Sequence, residues 1–165
     1  MTKPGDVLLS PWVLLSVAVL LLNDHVLKWQ FGNVITGKLS DVAGVFLLPL
    51  MFLAAVEAVR ALWAQVSAER SAEALGHTPR WAATRADIVA CVAVVGVGFA
   101  AVKTLPWVGD AYETVIGTAR SLIMYSSGPA APIVVYRDPT DVMVLPVLIL
   151  TFLLASRRRS SGQAA

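Results

Sequence analysis

Four apolar runs, each 14 to 16 residues long, recur along the chain at residues 7–22, 42–56, 88–102 and 142–155. A transmembrane helix needs about 20 mostly apolar residues. Because every run is shorter than that, each predicted span must include polar residues at one of its ends. The pattern predicts an all-α, polytopic membrane protein with four transmembrane helices in a single domain, residues 1–156. The predicted spans cover about residues 8–30, 40–60, 87–108 and 139–156.

Residues 111–125 follow a different pattern, in which apolar side chains recur three and four positions apart with polar side chains between them. This spacing is typical of an amphipathic helix. We expect this helix to be interfacial, lying on the membrane surface, or else to cap the helix bundle. The basic segment after the last span, residues 157–165, is predicted to be a disordered tail.

The N-terminal run begins like a secretory signal peptide, because Lys3 precedes an apolar stretch. No small-x-small cleavage site follows Leu22, so we expect the run to be retained as the first span. Ser10 and Pro11 form an N-cap followed by proline at the first helical position. This pair predicts that the first helix starts there.

The composition agrees with a protein that folds mainly in lipid. Hydrophobic residues make up 57% of the chain and charged residues 15%, with a mean hydropathy of +0.71. Soluble domains carry about a quarter charged residues. The net charge of +2 is small and the basic residues are scattered, so we expect no nucleic-acid partner. The single cysteine, Cys91, excludes an internal disulfide.

The distribution of basic residues predicts the orientation of the chain. Four spans place both termini on one side, and lysine and arginine accumulate on the cytoplasmic side of membrane proteins. Of the 13 Lys and Arg residues, eight fall on the side of the termini and five on the other. We therefore expect a multi-pass protein of the bacterial inner membrane with both termini in the cytoplasm. Residues 29–40 and 103–138 would form the outer loops.

In this topology, the outer ends of all four predicted spans carry polar or ionisable residues. Ionisable side chains within a membrane face the interior of a bundle and mark candidate functional sites. The candidate binding residues are Asn23, Asp24, His25, Lys28, Lys38, Ser40, Lys103, Arg137 and Asp138, and the candidate catalytic residues are Asp41 and Asp141.

Several of these groups also have simpler structural interpretations. Asp24 and Lys28 are four residues apart, so they share a helix face and can form an ion pair. Ser40–Asp41 and Asp138–Asp141 have the composition of helix N-termini, with a capping side chain and a carboxylate in the first turn. Both interpretations, structural contact and functional site, remain open for each group.

Two motifs resemble those of a family of small bacterial integral membrane proteins to which no activity is assigned. They are NDHVLK followed by TGKLSDVAG, within residues 23–44, and RDPTD at residues 137–141. The resemblance covers about a quarter of the chain and implies a membrane location without naming a reaction.

The chain is also similar in architecture to the lipoprotein signal peptidases, which are intramembrane aspartyl enzymes with a catalytic aspartate pair at the outer membrane face. The similarity rests on the chain length, the four spans and the position of Asp24 and Lys28 at the end of the first helix. Two elements differ. Residues 138–141 stand where that family has Asn-x-Ala-Asp, and its central Asn-x-x-Asp-Arg segment is missing.

These observations support three hypotheses of different classes. In the first, the polar groups lock helix ends together in a structural or assembly protein, or form a binding site. In the second, Asp41 and Asp141 are the catalytic pair of an intramembrane hydrolase that acts on a lipid or a membrane peptide, one holding a proton and the other activating water. Lys38 and Arg137 would then bind an anionic group of the substrate.

In the third hypothesis, side-chain oxygen atoms bind a cation or form a proton path. The residues that offer these oxygen atoms are Asn23, Asp24, Ser40, Asp41, Asp138 and Asp141. The expected partners are the lipid bilayer and either a second copy of the chain or another membrane protein. No cofactor is expected other than a bound cation.

Overall fold

The computed structural model describes residues 3–66, 81–124, 134 and 136–163. This part of the chain is helical and contains no strand. Four stretches are long and apolar enough to cross a membrane: Pro11–Phe31, Val34–Val66, Arg85–Thr104 and Pro139–Arg159. The predicted all-α fold with four candidate membrane spans is therefore confirmed. The chain forms two compact units, residues 1–96 with 144–165 and residues 97–143, where the sequence predicted one domain.

The first span starts where the sequence predicts. A 3-10 helix, Asp6–Leu9, precedes α1 (Pro11–Leu22). The Ser10 hydroxyl accepts a hydrogen bond from the Val13 N–H at 3.4 Å, which confirms Ser10 as the N-cap. The span continues through a π-helical turn, Asn23–Leu27, into the short α2 (Lys28–Phe31).

The second span begins earlier than predicted. The helix α3 covers Val34–Val66, whereas the sequence predicts an outer loop to residue 40 and a span from 40 to 60. The reason is a cap at Asn33: its side-chain oxygen accepts from the Thr36 N–H, and the Thr36 hydroxyl accepts from the Asn33 N–H, each at 3.1 Å. This reciprocal pair starts the helix within the polar stretch. The interpretation of Ser40–Asp41 as an N-cap is therefore wrong.

The helix α3 is the centre of the first unit and packs against α1 and α6 (Val147–Gln163). It contains Pro49, which has no N–H and leaves the carbonyl of Val45 without its helical donor. One residue further, the Phe46 carbonyl accepts a hydrogen bond from the buried Thr151 hydroxyl of α6 at 3.2 Å. Hydroxyl side chains of neighbouring helices commonly compensate for proline in membrane helices.

The hydrophobic core of the first unit joins residues that are far apart in sequence. Leu50, Leu53 and Ala54 of α3 meet Ile88 and Cys91 of α4 (Arg85–Thr104). The same core includes Val7, Val13, Phe46, Ala83 and Ala155. Cys91 is buried in this core and is not part of a disulfide.

The third span ends at Thr104, before the predicted boundary at residue 108, because Pro106 starts a new helix. This helix, α5 (Pro106–Met124), covers residues 111–124 of the predicted amphipathic segment and begins five residues earlier, while residue 125 lies outside the described residues. Proline suits the first turn of a helix, where an N–H has no intrahelical partner.

The last span begins as a 3-10 helix, Pro139–Val144, and continues as α6. Because α6 extends to Gln163, the prediction of a disordered tail is wrong for residues 157–163. Residues 164–165 of the predicted tail lie outside the described residues, as do residues 125–133 and 135 of the predicted outer loop at residues 103–138.

A close approach between α4 and α6 provides a test of this packing. A Cβ atom at Gly96 would lie 2.8 Å from Leu148 Cδ1, whereas a Cβ at Gly98 would meet nothing within 4 Å. Gly96→Ile should therefore lower the free energy of unfolding by about 1–3 kcal/mol, the usual cost of overpacking. Gly98→Ile, two residues away on the same helix, should change it less. Thermal unfolding of both variants in detergent, followed by tryptophan fluorescence, measures the difference. Equal losses would contradict the described contact.

Candidate functional site

A chain of hydrogen bonds connects the first span to α3. The Asn23 side-chain amide donates to the Thr36 carbonyl and to the Ser40 hydroxyl, both at 2.7 Å. Ser40 in turn donates to the Asp24 carboxylate at 2.7 Å, and that carboxylate is paired with Lys28 at 2.8 Å. These five residues, which we call the Asn23 cluster, include four residues of the predicted site.

The π-helical turn places both Asn23 and Asp24 in the cluster. In this turn the Lys28 N–H donates to the Asn23 carbonyl, five residues back instead of four. The turn therefore holds one residue more than an α-helical turn, an irregularity often found at functional sites. His25 Nδ1 lies 3.0 Å from the Leu21 carbonyl oxygen. Because a carbonyl only accepts, His25 donates here and supports its own helix.

Asn23 is the buried centre of this cluster. Its side chain is fully buried, and the two acceptors of its amide nitrogen determine which way the amide points. The opposite atom, Oδ1, has no hydrogen-bond partner in the described part of the chain. A buried amide oxygen of this kind is suited to accept from a small donor or to bind a cation.

In the second unit, Lys103 and Asp141 form a buried ion pair. Their charged atoms are 2.7 Å apart, and the side chains are only 11% and 8% exposed. Lys103 also lies 3.4 Å from the Tyr136 carbonyl oxygen and 5.5 Å from the centre of the Phe99 ring. By contrast, the side chains of Asp24 and Lys28 are each 41% exposed. The two pairs therefore differ strongly in how much of each side chain the protein covers.

Each charged residue of the RDPTD motif makes a contact within the second unit. Arg137 pairs with Asp110 of α5 and lies 3.9 Å from Glu113, one helical turn further. A Cβ atom at Gly109 would lie 2.8 Å from Arg137 Nε, so the absence of a side chain there gives the guanidinium room.

The rest of the motif starts a helix. The Asp138 side chain accepts from the Thr140 N–H at 2.9 Å, and the Asp138 carbonyl accepts from the Asp141 N–H at 2.9 Å. The predicted N-cap at Asp138 is thus confirmed, although it caps a 3-10 helix.

The predicted catalytic pair is divided between the two units. Asp41 is half-buried within α3 and belongs to the first unit, whereas Asp141 belongs to the second. Lys38 and Asp41 each have an interaction partner. The pairing of Asp41 with Asp141 stays a prediction.

Sequence reasoning missed a third polar group, at the other end of α3. The Glu57 carboxylate accepts from the Gly5 N–H at 2.9 Å and from the Ala83 N–H at 3.2 Å. One turn later, Arg60 makes two hydrogen bonds to Asp87, of 2.6 and 2.9 Å. Together these contacts join α3 to the segments that precede α1 and α4 and to the first turn of α4.

One part of this group had a signal in the sequence. Thr84 and Asp87 are three residues apart at the start of an apolar run, the spacing of a capping box. In the structure, Asp87 accepts from the Thr84 N–H at 2.7 Å, and the Thr84 hydroxyl accepts from the Asp87 N–H at 3.2 Å. The pairing of Asp87 with Arg60, 27 residues earlier, had no such signal.

Among the described residues, no group of three or more His, Cys, Asp or Glu side chains is arranged to hold a metal ion. No family model matches the chain, and no curated protein or solved structure is significantly similar to it.

The difference in exposure between the two lysine–aspartate pairs leads to a prediction. Lys103→Met leaves the buried Asp141 carboxylate without its counter-charge, which should cost about 3–5 kcal/mol of folding free energy. Lys28→Met leaves the Asp24 carboxylate its hydrogen bond from the Ser40 hydroxyl, and the protein covers this carboxylate less, so the loss should be smaller. Chemical denaturation of both variants in the same detergent measures the two losses. A loss for Lys28→Met as large as that for Lys103→Met would contradict the assigned burial.

Proposed function

We propose that this protein is a structural or assembly subunit of the bacterial inner membrane. In this proposal the polar groups in its spans hold helices together and perform no reaction. The main support is that the polar residues of both sequence motifs bond to other protein groups. In the first motif, Asn23, Asp24, Lys28 and Ser40 are linked to one another. In RDPTD, Arg137 bonds to α5, Asp141 bonds to Lys103, and Asp138 bonds within its own turn.

The proposal follows from the cost of polar groups in lipid. A buried donor, acceptor or charge without a partner is strongly destabilising, so a span that contains such groups must pair them. The observed pairs fulfil this requirement for the groups that they include, whereas the buried Oδ1 atom of Asn23 has no partner in the described residues. A catalytic carboxylate must in addition reach substrate, and Asp141 is only 8% exposed and bonded to Lys103.

We also propose that both termini lie in the cytoplasm. Glu57 and Arg60 would then mark the cytoplasmic end of α3, and the Asn23 cluster its outer end. Seventeen positions separate Ser40 from Glu57, which corresponds to about 26 Å at about 1.5 Å per residue. The apolar part of a bilayer is about 30 Å thick. The spacing of the two polar levels on α3 therefore suits a membrane-spanning helix.

The exposed surface of the spans is available to lipid or to a protein partner. The side chains of Trp12, Leu14 and Leu15 on α1 are all more than half exposed. Such a surface accepts lipid tails, a second copy of the chain or another membrane protein equally well, because it presents apolar atoms throughout. The assembly role rests on this surface, and the polar clusters keep the helices that carry it in place.

Cation or proton binding at the Asn23 cluster is a second candidate function. The observation that favours it is the buried Oδ1 atom of Asn23, which has no hydrogen-bond partner in the described residues. A thermal stability that rises with one particular cation, and not with others at equal ionic strength, would support this candidate.

Complementation of a deletion strain separates the structural role from catalysis. Asp41→Asn, Asp141→Asn and Asp24→Asn should lower the amount of folded protein in the membrane, most for the buried Asp141. Growth should follow that amount, because each folded molecule keeps its function. Quantified membrane fractions with growth assays at several expression levels measure this relation, and His25→Asn is the control. If Asp41→Asn and Asp141→Asn fold in normal amounts and both fail to complement, the hydrolase hypothesis replaces the structural one.

A further inference from the structure

The helix α5 has two chemically distinct faces. At 100° per residue, its aliphatic residues and Tyr112 fall on one side and its carboxylates and hydroxyls on the other. The apolar face consists of Val108, Tyr112, Val115, Ile116, Ala119, Leu122 and Ile123. The polar face carries Asp110, Glu113, Thr114, Thr118 and Ser121.

Two carboxylates of the polar face are in contact with Arg137 within the second unit. Arg137 pairs with Asp110 and approaches Glu113, so the segment before the last span lies against this side of the helix. The hydroxyls of Thr114 and Thr118 donate to carbonyls of α5 itself, at 2.9 and 2.7 Å. These contacts leave the opposite, apolar face to meet the surroundings of the unit.

Several side chains of the apolar face are strongly exposed. Val115 is 63% exposed, Leu122 73% and Ile123 82%. Apolar side chains in this arrangement usually mark a surface that is covered in the working state of a protein.

Chain connectivity indicates what covers it. A single residue, Leu105, separates the end of the candidate span α4 from the start of α5, and the chain enters its last candidate span at Pro139. A helix tethered so closely to the end of a span stays at the level of the membrane surface. There, an apolar helix face lies next to the boundary between lipid headgroups and acyl chains.

We propose that the apolar face of α5 docks into this boundary of the lipid bilayer, driven by the burial of apolar area and independent of lipid charge. The charge of the helix supports this choice. Residues 106–124 contain one basic residue, Arg120, and two acidic ones, so α5 has no excess of positive charge to attract anionic lipids. Binding through the apolar face also keeps the pairs of Arg137 with Asp110 and Glu113 on the water side.

Paired cysteine probes test the proposal on the full-length chain. Ile116→Cys and Ile123→Cys place a fluorescent label on the apolar face. Thr114→Cys and Ser121→Cys, each two positions earlier, place the same label on the opposite side as matched controls. Cys91→Ala removes the native thiol. The labelled variants are inserted into phosphatidylcholine nanodiscs, which leave both membrane sides open to solution, and monodisperse elution shows that each is folded.

Lipids with a doxyl quencher on the acyl chain should quench the labels at 116 and 123 several-fold more than those at 114 and 121, and iodide in solution should do the reverse. The pattern should persist when part of the phosphatidylcholine is replaced by phosphatidylglycerol. Equal iodide quenching at both members of a pair would overturn the proposal by placing α5 in water. Protection of positions 116 and 123 from both quenchers would overturn it in favour of a protein surface, either this chain or a second copy. Doxyl quenching that requires phosphatidylglycerol would contradict the independence from lipid charge.

Discussion

The absence of water in the hydrocarbon core of a membrane is the constraint on which this structure depends. A polar group placed there must find a partner in the protein, because lipid tails offer none. In the first unit α3 carries such groups at two levels, Thr36 and Ser40 near one end and Glu57 and Arg60 near the other. Between these levels its packing is almost entirely apolar, with Phe46, Leu50 and Leu53 in the core. The polar contacts thus lie at the ends of the helix and the apolar core in its middle.

This arrangement explains why the first span contains an irregular turn. Asn23 must reach both the Thr36 carbonyl and the Ser40 hydroxyl, while Asp24, its neighbour, must reach Ser40 as well. In a regular helix, adjacent residues point about 100° apart. The π-helical turn at Asn23–Leu27 changes the local hydrogen-bond pattern where both side chains meet α3. A backbone irregularity and a hydrogen-bond chain therefore occur together.

Local sequence signals were enough to predict much of the fold. The four apolar runs identified the spans. The caps at Ser10 and Asp138 were recognisable because each capping oxygen accepts from a backbone N–H only two or three residues later in the sequence. The pair of Asp24 with Lys28 followed from helical spacing. These features share one property, which is that both partners lie within a single turn or a single run.

Features that depend on distant partners were not predictable. Lys103 pairs with Asp141, 38 residues later, and Arg60 pairs with Asp87, 27 residues later. The residues next to Lys103 or Arg60 in the sequence do not indicate which carboxylate each one pairs with. The start of α3 was misplaced for a different reason. Its cap at Asn33 lies in a stretch whose glycine and polar residues resemble a loop, and Ser40–Asp41 offered an equally plausible start closer to the apolar run.

The central proposal is that the paired polar groups of the spans stabilise the fold and perform no reaction. The double variant Lys103→Met/Asp141→Leu tests it most directly, because it removes both members of the buried pair and leaves no uncompensated charge. Replacing a buried ion pair by apolar side chains of similar size is often neutral for stability or favourable. The account predicts that the double variant folds with near wild-type stability and complements a deletion strain as well as the wild type does. A double variant that folds normally in the membrane yet fails to complement would contradict it, because Asp141 or Lys103 would then be required for more than structure.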